Sequence, residues 1–325
     1  MSDHGGDLDR ARAVYGGDDW IDLSTGINRR PYPVPPLLPQ AWTALPLSSE
    51  LDRLEAVAAR AYGAASNMVV ALPGAQAAIQ LVPRLAVPAC AAVLTPSYNE
   101  HAAALLAQGW TVTLAPDISA MAGADLAVVV NPNNPDGRRW RPEALAKLAQ
   151  QVGLLVVDES FADAEPALSL VPWLPDRGNR GVILRSFGKF YGLAGVRLGF
   201  AVSGSEICAR LRTLAGPWAV SGPALGIGTA ALADAPWQAA TAAHLHADAA
   251  RLSDLLSHAG WHMVGTCALF VTVQTDDAQA ARDRLARARI WSRIFPYSAG
   301  WLRLGLPGEP SEWARLAAAL PRDRE

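Results

Sequence analysis

The 325-residue chain has little of what several broad protein classes depend on. It holds three cysteines, Cys90, Cys208 and Cys267, widely spaced and without a Cys-x-x-Cys pair. That argues against a disulfide framework or a cysteine zinc site, and it suits a reducing compartment. The six histidines are scattered. His244 and His246 stand two apart on a predicted helix, point to different faces and make a poor ligand pair, so no metal site is expected. Neither sign of charge dominates: the net charge is −2, with no basic cluster. Nucleic acid and anionic membrane are therefore not expected as partners, while small charged ligands remain open. No uninterrupted apolar run reaches the ~18 residues of a membrane helix. The polar, acidic opening Met1-Ser-Asp-His-Gly-Gly-Asp-Leu-Asp-Arg10 has no apolar core, so it does not read as a secretory signal and a cytoplasmic protein is expected. Internal repeats are absent.

What is present is ample core material. Half the chain, 51%, is hydrophobic and 18% is charged, enough for a large buried core and two domains. Residues 1–45 are rich in proline, glycine and charge. Pro31, Pro33, Pro35, Pro36 and Pro39 exclude regular helix through their span, so this reads as an extended arm lying on something larger. Within it, Ile21-Asp-Leu-Ser-Thr-Gly26-Ile-Asn28 offers small polar groups and a glycine. It suits either backbone approach to a ligand or an ordinary capped turn.

From there strands and helices alternate. Strands are predicted at 68–72, 92–95, 111–114, 126–130, 154–157 and 182–184. Helices are predicted at 51–62, 75–85 with a break at Pro83, 101–108 and 142–150. Near-continuous Val/Leu strands separated by helices indicate an α/β fold with a mainly parallel sheet covered on both faces. Ligands in such sheets bind beyond the strands' carboxyl ends. Gly74, the loop after Val130, Asp158 and Ser186 all fall there. The turn at Gly74 opens a helix whose first amides, at Ala75 and Gln76, suit a phosphate. Ser203-Gly-Ser-Glu206 resembles a capping box opening a helix that stops at Gly216. Alanine-rich helices follow at 223–233 and 236–258. A smaller α/β domain closes the chain, with strands near 268–274 and 301–305 and helices near 276–289 and 310–320. The expected domains are an N-terminal arm at 1–45, a large domain at 46–220, and linking helices plus a small domain at 221–325.

The most informative stretch is Leu184-Arg-Ser-Phe-Gly-Lys189-Phe-Tyr-Gly-Leu-Ala-Gly-Val-Arg197-Leu-Gly199. Its lysine stands between glycine-containing turns, flanked by Gly188, Phe190 and Tyr191, and is expected to face a partly dry cavity. Desolvation lowers a lysine's pKa and makes it a nucleophile. A serine hydroxyl at 186 and a guanidinium at 197 are what a phosphate needs nearby. An imine-forming lysine beside a phosphate clamp points to pyridoxal phosphate (PLP). A basic loop carrying a solvated lysine is the other reading.

Asn131-Pro-Asn-Asn134-Pro135-Asp-Gly137, then Asp158-Glu-Ser-Phe161, then Ser186-Phe-Gly-Lys189 with Arg197, resembles the fold-type I PLP enzymes of the aspartate aminotransferase superfamily. The histidinol-phosphate aminotransferase branch is the most similar. The opening His4-Gly5-Gly6 with Leu23-Ser-Thr-Gly-Ile-Asn28 looks like the threonine-phosphate decarboxylases of cobalamin biosynthesis. The resemblance covers nearly the whole chain. It implies a seven-stranded-type sheet, a homodimer and a phosphorylated amino-acid substrate. It implies that Lys189 binds the cofactor aldehyde and moves protons at the substrate's α-carbon. Asp158 would pair with the pyridine nitrogen, Asn134 with the ring's 3-oxygen, and Tyr98 would stack on the ring. The phosphate would lie on Gly74, Ala75 and Gln76 beside Ser186 and Arg197. Arg303 would bind the substrate α-carboxylate, and Arg293, His4, Gly26 and Asn28 would complete the substrate site.

Two positions depart from the family pattern. Phe161 stands where a tyrosine usually reaches the ring 3-oxygen, which should raise the imine pKa. Leu45 stands where relatives place a tyrosine that reaches the partner subunit's phosphate. The motifs leave two reactions open, decarboxylation of O-phospho-L-threonine and transamination of a phosphorylated amine such as histidinol phosphate. The first turns the carboxylate out of the ring plane and the second exposes the α-hydrogen. A fold relative that only binds a partner is disfavoured by the intact Lys189, Asp158 and Asn134.

Overall fold

The computed structural model describes residues 4–174 and 180–321. Met1–Asp3 of the expected arm and the last four residues of the expected small domain lie outside them. The chain divides into two compact units. The larger comprises residues 32–134 and 138–239, the smaller residues 1–31, 135–137 and 240–325.

The larger unit is built on a seven-stranded sheet. Across it run Val69–Leu72, Gly199–Ser203, Gly181–Ser186, Leu154–Asp158, Leu126–Val130, Cys90–Leu94 and Thr111–Ala115. All are mutually parallel except Gly199–Ser203, which is antiparallel to both its neighbours. The strands Leu126–Val130 and Leu154–Asp158 are buried throughout, whereas Thr111–Ala115, on the edge, is mostly exposed. Continuous apolar runs are what a sheet covered on both faces requires. Helices Ala75–Leu81, Glu100–Ala107 and Ser205–Ala215 cover one face, packing Ile79, Leu105 and Leu211 onto Val93, Val128 and Val156. The helix beginning at Ala75 gives way at Pro83 to the 3-10 turn Val82–Leu85, because proline cannot donate within an α-helix.

The smaller unit carries a four-stranded antiparallel sheet, ordered Arg293–Phe295, Ser298–Gly305, Phe270–Gln274 and His262–Cys267. A short parallel pair, Ile21–Asp22 with Ile290–Trp291, ties the N-terminal segment to it. Helices Ala278–Arg287 and Pro310–Ala319 accompany the sheet. The loop piece 135–137 belongs to this unit, where Thr272 donates to the Pro135 carbonyl at 2.6 Å.

Several expectations need correction. The N-terminal region is not wholly extended: Leu8–Tyr15 is a helix capped by Asp7, and its Ala11 packs in a cluster with Trp20, Ala286 and Trp291. Ser203 caps nothing, because it ends a strand and its hydroxyl donates to the Gly181 carbonyl at 2.6 Å. The unit boundaries fall at 31/32 and 239/240 rather than 45/46 and 220/221. The helix Gly222–Ala233 packs on Ser48–Tyr62, with Gly228 close against Leu54, and so belongs to the larger unit. Among the described residues no helix is long and apolar enough to cross a membrane. None of them form a cluster of three or more His, Cys, Asp or Glu side chains able to hold a metal ion.

Candidate active site

A cavity of about 200 Å³ opens at the carboxyl ends of the larger unit's strands. It is lined by Gly74, Ala75, Gln76, Tyr98, Asn134, Asp158, Ser186, Lys189 and Arg197, every residue assigned to the cofactor from the sequence. They converge because each ends a strand of the same sheet or lies in the segment that follows one.

One end of the cavity suits an anion. Gly74 has φ +85°, which turns the chain from Val69–Leu72 into the helix beginning at Ala75. That φ strains any residue with a side chain, and a Cβ at Gly74 would also lie 2.9 Å from an Arg197 guanidinium nitrogen, which would have to shift. Arg197 itself adopts a left-handed backbone conformation, φ 55°, and Ser186 ends its strand on the same cavity wall.

The other end is organised by a buried acid. Asp158 and His101 are each only 4% exposed, and the His101 Nε2–H donates to Asp158 Oδ2 at 2.8 Å. Ser160 donates to the other carboxylate oxygen through its backbone N–H, at 2.9 Å, and through its hydroxyl. Burial pushes the Asp158 carboxyl up, but the bonds from His101 and Ser160 outweigh it and hold the group below the usual aspartate range. The acid thus stays ionised. The Tyr98 hydroxyl donates to Gln76 at 3.3 Å, and its ring meets His101 edge to face. Below lies a buried ion group, with Arg185 3.5 Å from Glu159 and 3.8 Å from Asp163. It anchors the neighbours of Asp158 and Ser186 in sequence.

Lys189 sits in a single helical turn, Phe187–Phe190. Phe187 stacks on Tyr191 at 4.4 Å, and Tyr191 stacks on Trp237 at 5.6 Å. This aromatic pile fixes the turn, while the lysine Nζ lies 5.5 Å from the Phe161 ring centre. A lysine amine, an ionised acid and an anion cradle in one cavity fit PLP, which carries an aldehyde, a ring nitrogen and a phosphate.

The smaller unit holds a second group of assigned residues. Arg293 and Arg303 are direct cross-strand partners, so they share one face of the sheet. Arg303 is buried and donates to the Ser24 carbonyl at 2.7 Å. Burial, and then the charge of Arg293, push its pKa down to about 10. Arg293 also lines a small pocket with His4 and Ser24. A Cβ at Gly5 would meet the Ser24 carbonyl oxygen at 2.5 Å, so glycine lets this segment seat there. Gly26 and Asn28 are buried but do not line that pocket, and Asn28 Oδ1 accepts from the Arg30 N–H.

Sequence reasoning missed His101 and Ser160. Ser160 left a signal, since it follows Asp158 by two, the spacing of a local carboxylate turn, whereas His101 left none, because only the fold brings it to Asp158.

The family model for aminotransferase class I and II matches residues 43–320. A threonine-phosphate decarboxylase of Sinorhizobium sp is 43% identical over 98% of this chain and 97% of its own length. A histidinol-phosphate aminotransferase of Mycobacterium bovis is 32% identical over 87% of this chain and 80% of its own. Among solved structures, the histidinol-phosphate aminotransferase of Sinorhizobium meliloti in complex with pyridoxal-5'-phosphate superposes with a TM-score of 0.82. It is 22% identical, and the match covers 99% of this chain and 94% of that one.

Proposed function

The chain belongs to the aminotransferase class I and II family, and from that premise we propose that it is a PLP-dependent lyase acting on O-phospho-L-threonine. Its products are carbon dioxide and (R)-1-amino-2-propanol phosphate, the amino-alcohol arm needed in cobalamin biosynthesis. The observation that carries the choice of reaction is the 43% identity, over 98% of the chain, with a threonine-phosphate decarboxylase. The aminotransferase relative stands at 32% over 87%.

PLP, when bound, supplies an electron sink for the pair left on the α-carbon as the carboxylate departs. The protein's residues do the rest. Lys189 holds the cofactor aldehyde and delivers a proton to the α-carbon in place of the lost carboxylate. Asp158, kept ionised by His101 and Ser160, holds a proton on the ring nitrogen. Tyr98 covers the ring and Asn134 takes its 3-oxygen. Gly74, Ala75, Gln76, Ser186 and Arg197 hold the cofactor's phosphate. Arg303 takes the substrate carboxylate, and Arg293 with His4 takes the substrate phosphate, setting which α-carbon bond stands across the ring. Orientation of this kind is worth up to roughly 7–11 kcal/mol.

We place the enzyme in the cytoplasm as a homodimer. Leu38 (74% exposed), Trp42 (69%), Leu45 and Leu47 leave an apolar surface on one chain that a second copy would cover. Sedimentation of the holoenzyme as a monomer would remove the dimer from the reading. The reaction is tested by product analysis: with phosphothreonine and no keto acid, phosphorus NMR should show 1-amino-2-propanol phosphate accumulating. Turnover of histidinol phosphate that requires a keto acid, without that product, would favour the aminotransferase.

A further inference from the structure

The loop that carries Asn134 is held at both ends, and Asn134 is the residue between the two holds. On its leading side the Asn131 N–H donates to the Asp158 carbonyl at 2.8 Å. The Asn133 side chain is gripped as well: its Oδ1 accepts from the Ser97 hydroxyl at 2.7 Å and its Nδ2–H donates to the Pro96 carbonyl at 2.9 Å. All of these groups belong to the larger unit, which the chain leaves after Asn134. On the trailing side, Pro135–Gly137 belong to the smaller unit and lie against its sheet.

The register of that sheet explains how the loop is seated. Arg293, Arg303, Thr272 and Gly265 are successive cross-strand partners, one row across all four strands. Side chains in such a row share a face. Thr272 is fully buried, and its hydroxyl donates to the Pro135 carbonyl at 2.6 Å. Proline has no N–H, so its carbonyl is the backbone group it can offer. At the end of the row, a Cβ on Gly265 would lie 1.8 Å from the Asp136 carbonyl oxygen. A Cβ on Gly137 would lie 2.5 Å from the Thr266 carbonyl oxygen. The loop backbone therefore rests directly on the strand His262–Cys267. The row that carries the two arginines also holds the residue next to Asn134.

We propose that Thr272 is a positioning residue: by fixing Pro135 it sets how Asn134 presents its donor to the cofactor's 3-oxygen. The inference rests on the reading that Asn134 takes that oxygen, and it holds for either reaction. A hydrogen bond donated to the ionised oxygen favours that form. A displaced Asn134 therefore raises the pH at which the bound cofactor's visible absorbance changes.

The test is a pH titration of that absorbance in the purified holoenzyme, without substrate. Thr272→Val keeps the branched shape and removes the hydroxyl. Its midpoint should rise by about half a unit to one unit, the scale of one hydrogen bond. Thr272→Ser keeps the donor and should hold the parent midpoint. In an Asn134→Ala background, Thr272→Val should add no further rise, because the two residues act through one bond. Gly265→Ala displaces the loop at Asp136 with Thr272 intact and should raise the midpoint too. It decides the question if the valine variant does not fold. A Thr272→Val midpoint equal to the parent's would overturn the inference whatever its Tm, since a merely structural hydroxyl moves only the Tm. So would a rise of the same size in the Asn134→Ala background. If Asn134→Ala itself titrates like the parent, the reading of Asn134 falls and the inference with it. If Asn134→Ala moves and Thr272→Val does not, the inference falls alone.

Discussion

Replacing His101 with leucine tests the buried acid on which the proposed ring chemistry depends. The substitution keeps an apolar side chain in the space and removes the donor to Asp158 Oδ2. Asp158 then keeps only the two bonds from Ser160. A hydrogen bond to a charged group contributes about 1.5–3 kcal/mol. At about 2.1 cal/mol/K per residue, a 325-residue chain loses about 2–4 °C of Tm for that amount. The effect depends on pH. In the parent protein the Asp158 carboxyl lies below its ordinary value of 3.8, so its contribution is present above that pH and lost as pH falls through the lowered value. Without His101, burial meets less opposition and raises the folded value, so the acid now costs stability as pH rises. The Tm gap between parent and variant should therefore be widest near neutral pH and narrow toward pH 4. Turnover of the holoenzyme should fall by about tenfold or more, since 1.36 kcal/mol on the barrier is a factor of ten. Unchanged turnover, or a Tm gap constant with pH, would refute the reasoning.

Three further outcomes are expected. Lys189→Ala should abolish turnover and the visible absorbance of the bound cofactor, which a spectrum of the purified protein checks at once. Arg303→Lys replaces a planar two-pronged donor with a point charge and should raise KM for phosphothreonine by about tenfold, with a smaller change in kcat. Gly74→Ala forces a side chain into φ +85° and against Arg197, so it should cost about 1 kcal/mol or more and weaken PLP retention on dialysis.

Much of the fold could be read from the sequence because the central strands are buried on both sides. Leu126–Val130 and Leu154–Val157 are unbroken apolar runs, and Asp158 stands directly after the second. Gly199–Ser203 escaped notice because the chain reverses into it through the irregular segment 191–198 rather than a tight hairpin turn, although it is the one antiparallel strand of the large sheet. His262–Cys267 is largely unburied, so its side chains lack the apolar signature of a strand. The unit boundary is a packing fact: only contact with Leu54 shows that the alanine-rich helix Gly222–Ala233 belongs to the larger unit. His101 escaped for a related reason, since its role depends on Asp158, 57 residues away in sequence.

The most direct test of the central claim is carbon dioxide release from carboxyl-labelled O-phospho-L-threonine by the holoenzyme with no keto acid present. One labelled carbon dioxide for each substrate consumed, over many turnovers, is the expected result. No label released, or release that stops after a single turnover until a keto acid is added, would contradict it.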